Sequence, residues 1–351
     1  RQEQELACST LRDKICNIYA SEIEQKGIKV HRIPMRRAIS PINDLSCLLK
    51  LIFLMKKNKY QIIHTHSSKA GFLGRIAGGI SGCHSIIHTP HVFPFQMKCS
   101  PFQRNFYIAL EKFAARFCNR IICVSQQEYK DAIYYNITNA EKLIVIPNGI
   151  SVLPEHFSSS SQIRDFFNVP AGGLLVGSVG RLSEQKGHIY LLQAAKILAP
   201  RFPLVRYAII GSGELKTKLM KTAAELEINN IITFTGHLEH IEQYYANFDV
   251  VVFPSLWEGM PYALLEAMHA GKAIVASDVG GLGETVRKEN IGLVVPPAKA
   301  DSLAEAIGIM LANYSLRNKF AKSSRSAINN YSIEKMLSET RKLYDACVNT
   351  K

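Results

Sequence analysis

Two short stretches of the sequence hold side chains whose types and spacing could do chemistry on an anionic, hydroxyl-rich ligand. The first is Val179-Gly180-Arg181-Leu182-Ser183-Glu184-Gln185-Lys186-Gly187, between an apolar run and an amphipathic one. Glycines at both ends let the backbone approach a ligand, and the helix that follows offers free N–H groups and the positive end of its dipole. Arg181 and Lys186 place two cations at that mouth. A guanidinium can hold two oxygens at once and an ammonium acts as a point charge, so the set suits a diphosphate. A glycine-bounded turn with surface charges has the same pattern, and the stretch alone does not separate the two.

The second stretch is Pro254-Ser255-Leu256-Trp257-Glu258-Gly259-Met260-Pro261, followed by an apolar helix that carries Glu266. Glu258 falls in the loop beside Gly259, and Glu266 about one turn into a helix starting near Pro261. Both carboxylates then face one rim, where one can accept hydrogen bonds from sugar hydroxyls and the other from a ribose diol. Ala263, Leu264, Leu265, Ala267 and Met268 surround Glu266 in sequence. A carboxylate in so apolar a helix needs a buried partner.

The elements that must position these groups read as βαβ units, because short apolar runs alternate with amphipathic stretches from end to end. Strands are expected at 61–66, 85–91, 120–125 and 143–146, with helices at 44–56, 69–81, 102–118 and 126–135 between them; an opening strand is expected at 4–9. Pro147-Asn148-Gly149 makes a turn, and the serine tract 158–161 is the best linker. The alternation restarts with strands at 174–180, 206–211, 231–235, 250–254, 273–277 and 292–295, helices at 188–198, 214–226, 241–246 and 262–270, and helical pattern from 301 onward. The expectation is two successive doubly wound α/β domains, with ligands bound beyond the carboxyl ends of the strands and in the cleft between the domains.

Composition agrees. With 351 residues, 47% of them hydrophobic and 20% charged, the chain can build two real cores. Its longest nearly apolar run, 45–55, is broken by Lys50 and is far short of the roughly 20 residues of a membrane span. Eight cysteines without a Cys-x-x-Cys pair read as reduced thiols of a cytoplasmic protein. Charge is uneven: residues 29–120 hold fifteen Lys and Arg against only Asp44 and Glu111, so the whole excess of +13 lies there. Such a basic half suggests an anionic partner, with solubility as the plainer explanation.

In their order, the motifs resemble the retaining glycosyltransferases of family four. The likeness is carried by Gly180-Arg181 with Lys186-Gly187, Gly211-Ser212-Gly213-Glu214, Phe234-Thr235-Gly236, the pair Glu258 and Glu266, Asp278-Val279-Gly280-Gly281 and Gly292-Leu293-Val294-Val295. In the first half, His64-Thr65-His66-Ser67-Ser68-Lys69-Ala70-Gly71 and His88-Thr89-Pro90-His91-Val92-Phe93 resemble members that build bacterial surface polysaccharides. The resemblance implies a GT-B fold, two facing Rossmann-like domains with a cleft between them. The expected divisions are an acceptor domain at 1–152, a nucleotide-sugar domain at 153–331 and a final helix at 332–351. That helix would cross back onto the first domain through Ile333, Met336, Leu337, Leu343 and Tyr344.

The resemblance also implies roles. Arg181 and Lys186 would neutralise the donor diphosphate beside Gly180, Glu258 would hold donor-sugar hydroxyls, and Glu266 the ribose. Gly259, Met260 and Pro261 would shape the backbone around sugar and phosphate. His91, ending its strand, matches the active-site histidine beside the anomeric carbon, although a lone histidine at a strand end is more often only a satisfied one. His66 and Lys69 are candidates for acceptor or phosphate contacts, and His64 and His88 are structural. No Asp-x-Asp pair occurs, so the cation role falls to Arg181 and Lys186, with neither metal nor cofactor expected.

The activity implied is retaining transfer of a hexosyl or N-acetylhexosaminyl group from a nucleotide-sugar to a glycan or polyprenyl-phosphate-linked acceptor. It would proceed in the cytoplasm, peripherally on an anionic membrane face and without nucleic acid. A non-catalytic homologue binding nucleotide-sugar or membrane, or a nucleotide-sugar epimerase of similar fold, are the alternatives. Members normally open with a strand and a Gly-rich loop, whereas this chain starts in what reads as the next strand; the sequence is either a fragment or a truncated gene product, and in the second case the first sheet is expected to lack a central strand.

Overall fold

The computed structural model describes residues 4–9, 11, 14–36, 38–152 and 160–349. The first half runs β1 (Glu5–Cys8), α1 (Lys14–Gln25), β2 (Lys29–Arg32), α2 (Pro41–Asn58), β3 (Ile62–His66), α3 (Ser68–Ile80), β4 (Ser85–Thr89), α4 (Pro101–Ala115), β5 (Arg120–Cys123), α5 (Gln126–Tyr134) and β6 (Leu143–Val145). The second half runs α6 (Ser161–Phe166), β7 (Leu175–Val179), α7 (His188–Leu198), β8 (Arg206–Ile210), α8 (Lys216–Glu225), β9 (Ile232–Gly236), α9 (Ile241–Asn247), β10 (Val250–Phe253), α10 (Tyr262–His269), β11 (Ala273–Ser277), α11 (Gly280–Lys288), β12 (Gly292–Val295), α12 (Ala300–Ala312), α13 (Tyr314–Ala327) and α14 (Ile333–Asn349).

The named strands pair in parallel, with one antiparallel bridge, Gly211 to Gly236, at the end of β9. The second half is one six-stranded sheet in the order β12-β11-β10-β7-β8-β9, and the first holds a β1-β2 pair and a four-stranded sheet β3-β4-β5-β6. Parallel strands covered on both faces are apolar along their whole length, as Val250-Val251-Val252-Phe253 shows: all four are buried. Two apolar clusters, on the two faces of the six-stranded sheet, form the second core.

Several expectations need correction. The strand expected to end on His91 ends at Thr89, because Pro90 has no N–H to continue the ladder. Helix α11 was not anticipated, since Gly280, Gly281 and Gly283 hide its pattern; α1, β2 and α6 were also missed. Of the serine tract, 158 and 159 lie outside the described residues. Ser161 opens α6, and the Ser160 N–H is held by Asn247 Oδ1 at 2.9 Å.

The chain crosses between halves twice, side by side. Ile150 N donates to Tyr331 O (3.0 Å), and Ile333 N donates to Ile150 O (2.8 Å). After the second crossing, α14 lies on the first sheet. Leu343 and Cys347 are buried with Ile87, Ile122 and Ile146, and Ser85 Oγ donates to the Cys347 carbonyl at 2.8 Å. Leu337, expected on this face, is instead 56% exposed.

Buried histidines tie this fold to pH. His188, at the start of α7, is driven down to about 3 by burial, with the Lys186 charge adding to it. A histidine kept neutral on folding stabilises fully above its unfolded pKa near 6.5 and loses that stabilisation as pH falls toward the folded value. Buried carboxyls work in the opposite sense: Glu128, raised by burial to about 8, favours the fold at lower pH. The histidine contribution is therefore isolated by comparing wild type with His188→Gln. Between pH 7 and pH 5 the wild type should lose roughly 2 kcal/mol more than the variant. Chemical denaturation at both pH values measures this, and equal losses would show that His188 is protonated within the fold.

Candidate active site

The carboxyl ends of β7 and β10 bring the two chemically marked loops into contact. Gly187 has φ 62°, and a Cβ there would sit 2.0 Å from the Pro254 carbonyl oxygen, so only glycine lets one loop lie on the other. This approach puts Lys186 Nζ 2.6 Å from Glu258 Oε1. Ser255 Oγ donates to the same oxygen (3.0 Å), and Gln185 Nε2 donates to Glu258 Oε2 (3.2 Å) and to the Trp257 carbonyl (3.1 Å). The Glu258 side chain is only 6% exposed. A carboxylate so far removed from water is tolerable because it is paired and hydrogen-bonded. Lys186 spends one of its three N–H donors there. Arg181 lies farther out, with Nε 3.3 Å from Glu214 Oε2. That pair is half exposed and therefore weak, which leaves the guanidinium able to turn to another anion.

Pro261 caps α10, and Glu266 follows about one turn in. Burial raises the Glu266 carboxyl, while a hydrogen bond from Tyr245 and the charge of Lys186 pull it back. Tyr245, fully buried with its hydroxyl also 3.0 Å from the Ala263 carbonyl, is the partner the apolar helix demanded. Glu258, Glu266 and Lys186 thus share one corner. Met260 is buried, and its carbonyl accepts a 2.7 Å hydrogen bond from Asn148 Nδ2 in the first half. Asn148, Gln185, Ser255 and Tyr245 were missed by sequence reading. All are neutral; Gln185 and Ser255 stood in the two marked stretches and Asn148 in a turn, where none of them carries a charge to single it out, and Tyr245 stood in no motif.

From the first half, the loop after β4 closes on this corner. A Cβ on Gly259 would lie 2.0 Å from the His91 carbonyl oxygen, so the two loops touch backbone to side-chain-free backbone. His91 itself has φ 63°. Its Nε2 is 3.1 Å from His66 Nδ1, with the rings stacked 5.3 Å apart. Desolvation, and secondarily the neighbouring His66, lowers His91 to about 4, so at neutral pH it is a neutral hydrogen-bonding group. Lys69 is placed differently. Its ammonium donates to the Arg36 and Ala38 carbonyls and pairs with Asp44, so its three N–H groups are spent tying α3 to the start of α2 and the segment before it. His88 is fully buried and bonded to Thr65 through Nδ1, while its Nε2 is buried without a hydrogen-bond partner.

Farther toward the chain crossings, the Glu284 carboxylate of α11 accepts from the N–H groups of Gln126 (3.2 Å) and Gln127 (2.6 Å), capping α5 from the opposite half. Beside it lies a cavity of about 480 Å³ bordered by Gln126, Met260, Glu284, Lys288, Tyr331 and Lys335. Among the described residues no three His, Cys, Asp or Glu side chains are grouped as metal ligands.

The chain is similar along nearly its whole length to known proteins. Residues 9–152 match the family model "Glycosyltransferase Family 4" and residues 159–327 match "Glycosyl transferases group 1". The chain is 33% identical over 322 residues to the UDP-Gal:alpha-D-GlcNAc-diphosphoundecaprenol alpha-1,3-galactosyltransferase of Escherichia coli, covering 89% of this chain and 82% of that protein. It is 26% identical over 348 residues to the capsular polysaccharide biosynthesis glycosyltransferase CapM of Staphylococcus aureus, covering 95% and 91%. Among solved structures, Anabaena HepE in complex with UDP and glucose superposes with a TM-score of 0.80 at 21% identity, covering 97% of this chain and 91% of that one. Two parallel α/β halves, a cleft lined by their strand ends and this likeness along the chain lead to one statement: the protein belongs to the family-four glycosyltransferases and has their GT-B fold.

Proposed function

We propose that this protein transfers a hexosyl group from a UDP-sugar to a polyprenyl-diphosphate-linked saccharide, with retention at the anomeric carbon, in bacterial surface-polysaccharide assembly. The observation that carries the reading is the shared corner of Lys186, Glu258 and Glu266, closed by the His91 loop on Gly259. The E. coli relative, by its name, works on a diphosphoundecaprenol-linked GlcNAc with UDP-Gal as donor, and HepE was solved with UDP and glucose. Both support this choice of donor and acceptor.

In this mechanism Arg181 and the free donors of Lys186 hold the diphosphate as it departs, which stabilises the charge that develops on it. Glu266 accepts hydrogen bonds from the ribose diol and Glu258 from hydroxyls of the transferred sugar. His91, neutral, hydrogen-bonds to that sugar near the reacting carbon. The bond from the anomeric carbon to the diphosphate breaks as the acceptor oxygen bonds to the same face, and the acceptor proton passes to a departing phosphate oxygen. Two protein cations carry the role that a divalent ion has in other transferases, so the reaction is proposed to be metal-independent.

The acceptor chemistry also proposes a docking surface. No helix of the described residues is long and apolar enough to cross a membrane. Helix α2 nevertheless exposes an apolar stripe, Ile42, Leu45, Leu49 and Phe53, beside exposed Lys50, Lys56, Lys57 and Lys59. Helix α3 packs between α2 and α4, and α4 exposes Phe102, Phe106 and Phe113 with Arg104, Lys112 and Arg116. The only acids of this basic stretch are neutralised internally, Asp44 by Lys69 and Glu111 by Arg75. An apolar and purely cationic face suits an anionic leaflet. Phe95 does not belong to it, being 2% exposed and stacked on Phe93; Lys98 is paired with Glu184, and Arg37 lies outside the described residues.

Three outcomes follow. Arg181→Ala should weaken UDP binding about tenfold, near the low end of a charge-assisted contact because the side chain is half exposed. Calorimetry measures it, and the same assays with EDTA should show undiminished transfer; an unchanged affinity or a reaction stopped by chelation contradicts the diphosphate assignment. His91→Ala should cut kcat by roughly a hundredfold while leaving UDP affinity within a factor of two. A collapse of UDP affinity would move His91 from the sugar to the nucleotide. Finally, the protein should co-sediment with anionic but not neutral vesicles at low salt, and Phe53→Asp with Leu49→Asp should abolish this. Equal binding to both vesicle types, or to neither, assigns the positive charge to solubility.

A further inference from the structure

Two histidines that the proposed reaction leaves without a task, His64 and His66, form a row with His91 that ends on the C-terminal helix. Residues i and i+2 of a strand face the same way, and β3 presents both rings to the face that α14 covers. The His66 ring lies between the other two, stacked on His91 at 21° and centred 4.2 Å from His64. His64 is fixed at both nitrogens: Nδ1 is 2.6 Å from the Tyr344 hydroxyl of α14, and Nε2 is 2.8 Å from Thr89 Oγ1. The backbone on either side of the row is held in an unfavourable form. Ser67 and His91 both have φ 63°, a left-handed conformation costly for any residue but glycine, and Ser67 N donates to Thr89 O at 3.1 Å.

The bond between the last two rings has a chemical consequence. Only one proton can lie between nitrogens 3.1 Å apart, so one ring contributes an N–H and the other a lone pair. The proton positions of the two rings are thereby coupled, each tautomer of His66 going with one tautomer of His91. If His91 Nε2 accepts, its proton is on Nδ1, which meets the substrate as a donor; if Nε2 donates, Nδ1 meets it as an acceptor.

We propose that His66 is a positioning residue that fixes the tautomer and plane of His91, and that His64 and Tyr344 hold the His66 ring in place from the C-terminal helix. This rests on the reading of His91 as the group at the transferred sugar. His66 is itself solvent-exposed, so direct contact with substrate is the competing role that the experiment must separate.

His66→Phe keeps a ring to stack and removes the nitrogen. It should lower kcat about tenfold with KM for the nucleotide-sugar changed less than about twofold, the pattern of an interaction felt only in the transition state. His66→Asn, whose amide can donate or accept near the place of Nδ1, should recover most of the loss, and Tyr344→Phe should cost about threefold in kcat. In a His91→Ala background His66→Phe should have no further effect, because its influence passes through His91. An equal loss in both backgrounds, or a rise in acceptor KM alone, would overturn the proposal in favour of direct contact. Nitrogen-15 NMR of the histidine-labelled protein reads the tautomer without any activity. One His91 tautomer in wild type that becomes a mixture in His66→Phe supports the proposal even if no donor is turned over, a result that would count against the proposed transfer only. A mixture already in wild type, or a tautomer indifferent to His66→Phe, refutes it.

Discussion

Removing the Glu258 carboxylate from water is the constraint on which the second half of the site depends. A buried anion needs a cation and hydrogen-bond donors at short range. Here the cation arrives on a different loop, Lys186, and can do so only because Gly187 lets that loop lie against Pro254. Ser255 and Gln185 fill the remaining acceptor positions. The ends of β7 and β10 are thereby fixed relative to each other, and α10, which starts just after them, delivers Glu266 to the same corner. A binding surface built this way is preorganised before any ligand arrives, which limits the ordering cost of binding.

The two halves divide the chemistry unequally. The second supplies most of the charge and the hydroxyl acceptors, held in a dense network. The first supplies neutral imidazoles on a loop that approaches Gly259 edge-on, together with backbone contacts such as Asn148 to Met260. Closure across the cleft is thus made largely of neutral groups and backbone, with Glu284 on the N-terminus of α5 and the exposed Lys98–Glu184 pair as its charged exceptions.

What the sequence displayed and what it hid follow from the range of the interactions. The loops at 180–187 and 254–261 were legible because glycines beside charges are unusual locally, and the strands because parallel sheets are apolar throughout. Membership in a known family was legible because those motifs recur in order. Helix α11 was not, since its glycines violate helical preference and only packing compensates. The end of β4 was misplaced by two residues, although Pro90 offered the signal. Asn148 and Tyr245 were invisible for another reason: their partners, Met260 and Glu266, lie 112 and 21 positions away in the chain and are met only through the fold. Lys69 looked available beside two histidines, yet the loop before α2 takes two of its donors and Asp44 in the first turn of α2 the third.

The return of α14 to the first sheet has a consequence for how the protein is made. Ile87, Ile122 and Ile146 are covered by Leu343 and Cys347, residues that lie 197 to 260 positions farther along the chain. On the ribosome, the first half emerges early but keeps this apolar face bare until α14 has followed the whole second half out. Contacts of such sequence separation are slow to form and leave hydrophobic surface open meanwhile. Helix α14 therefore completes the first half late: a protein whose synthesis stopped before this helix would display the uncovered sheet, the kind of surface that chaperones and proteases act upon.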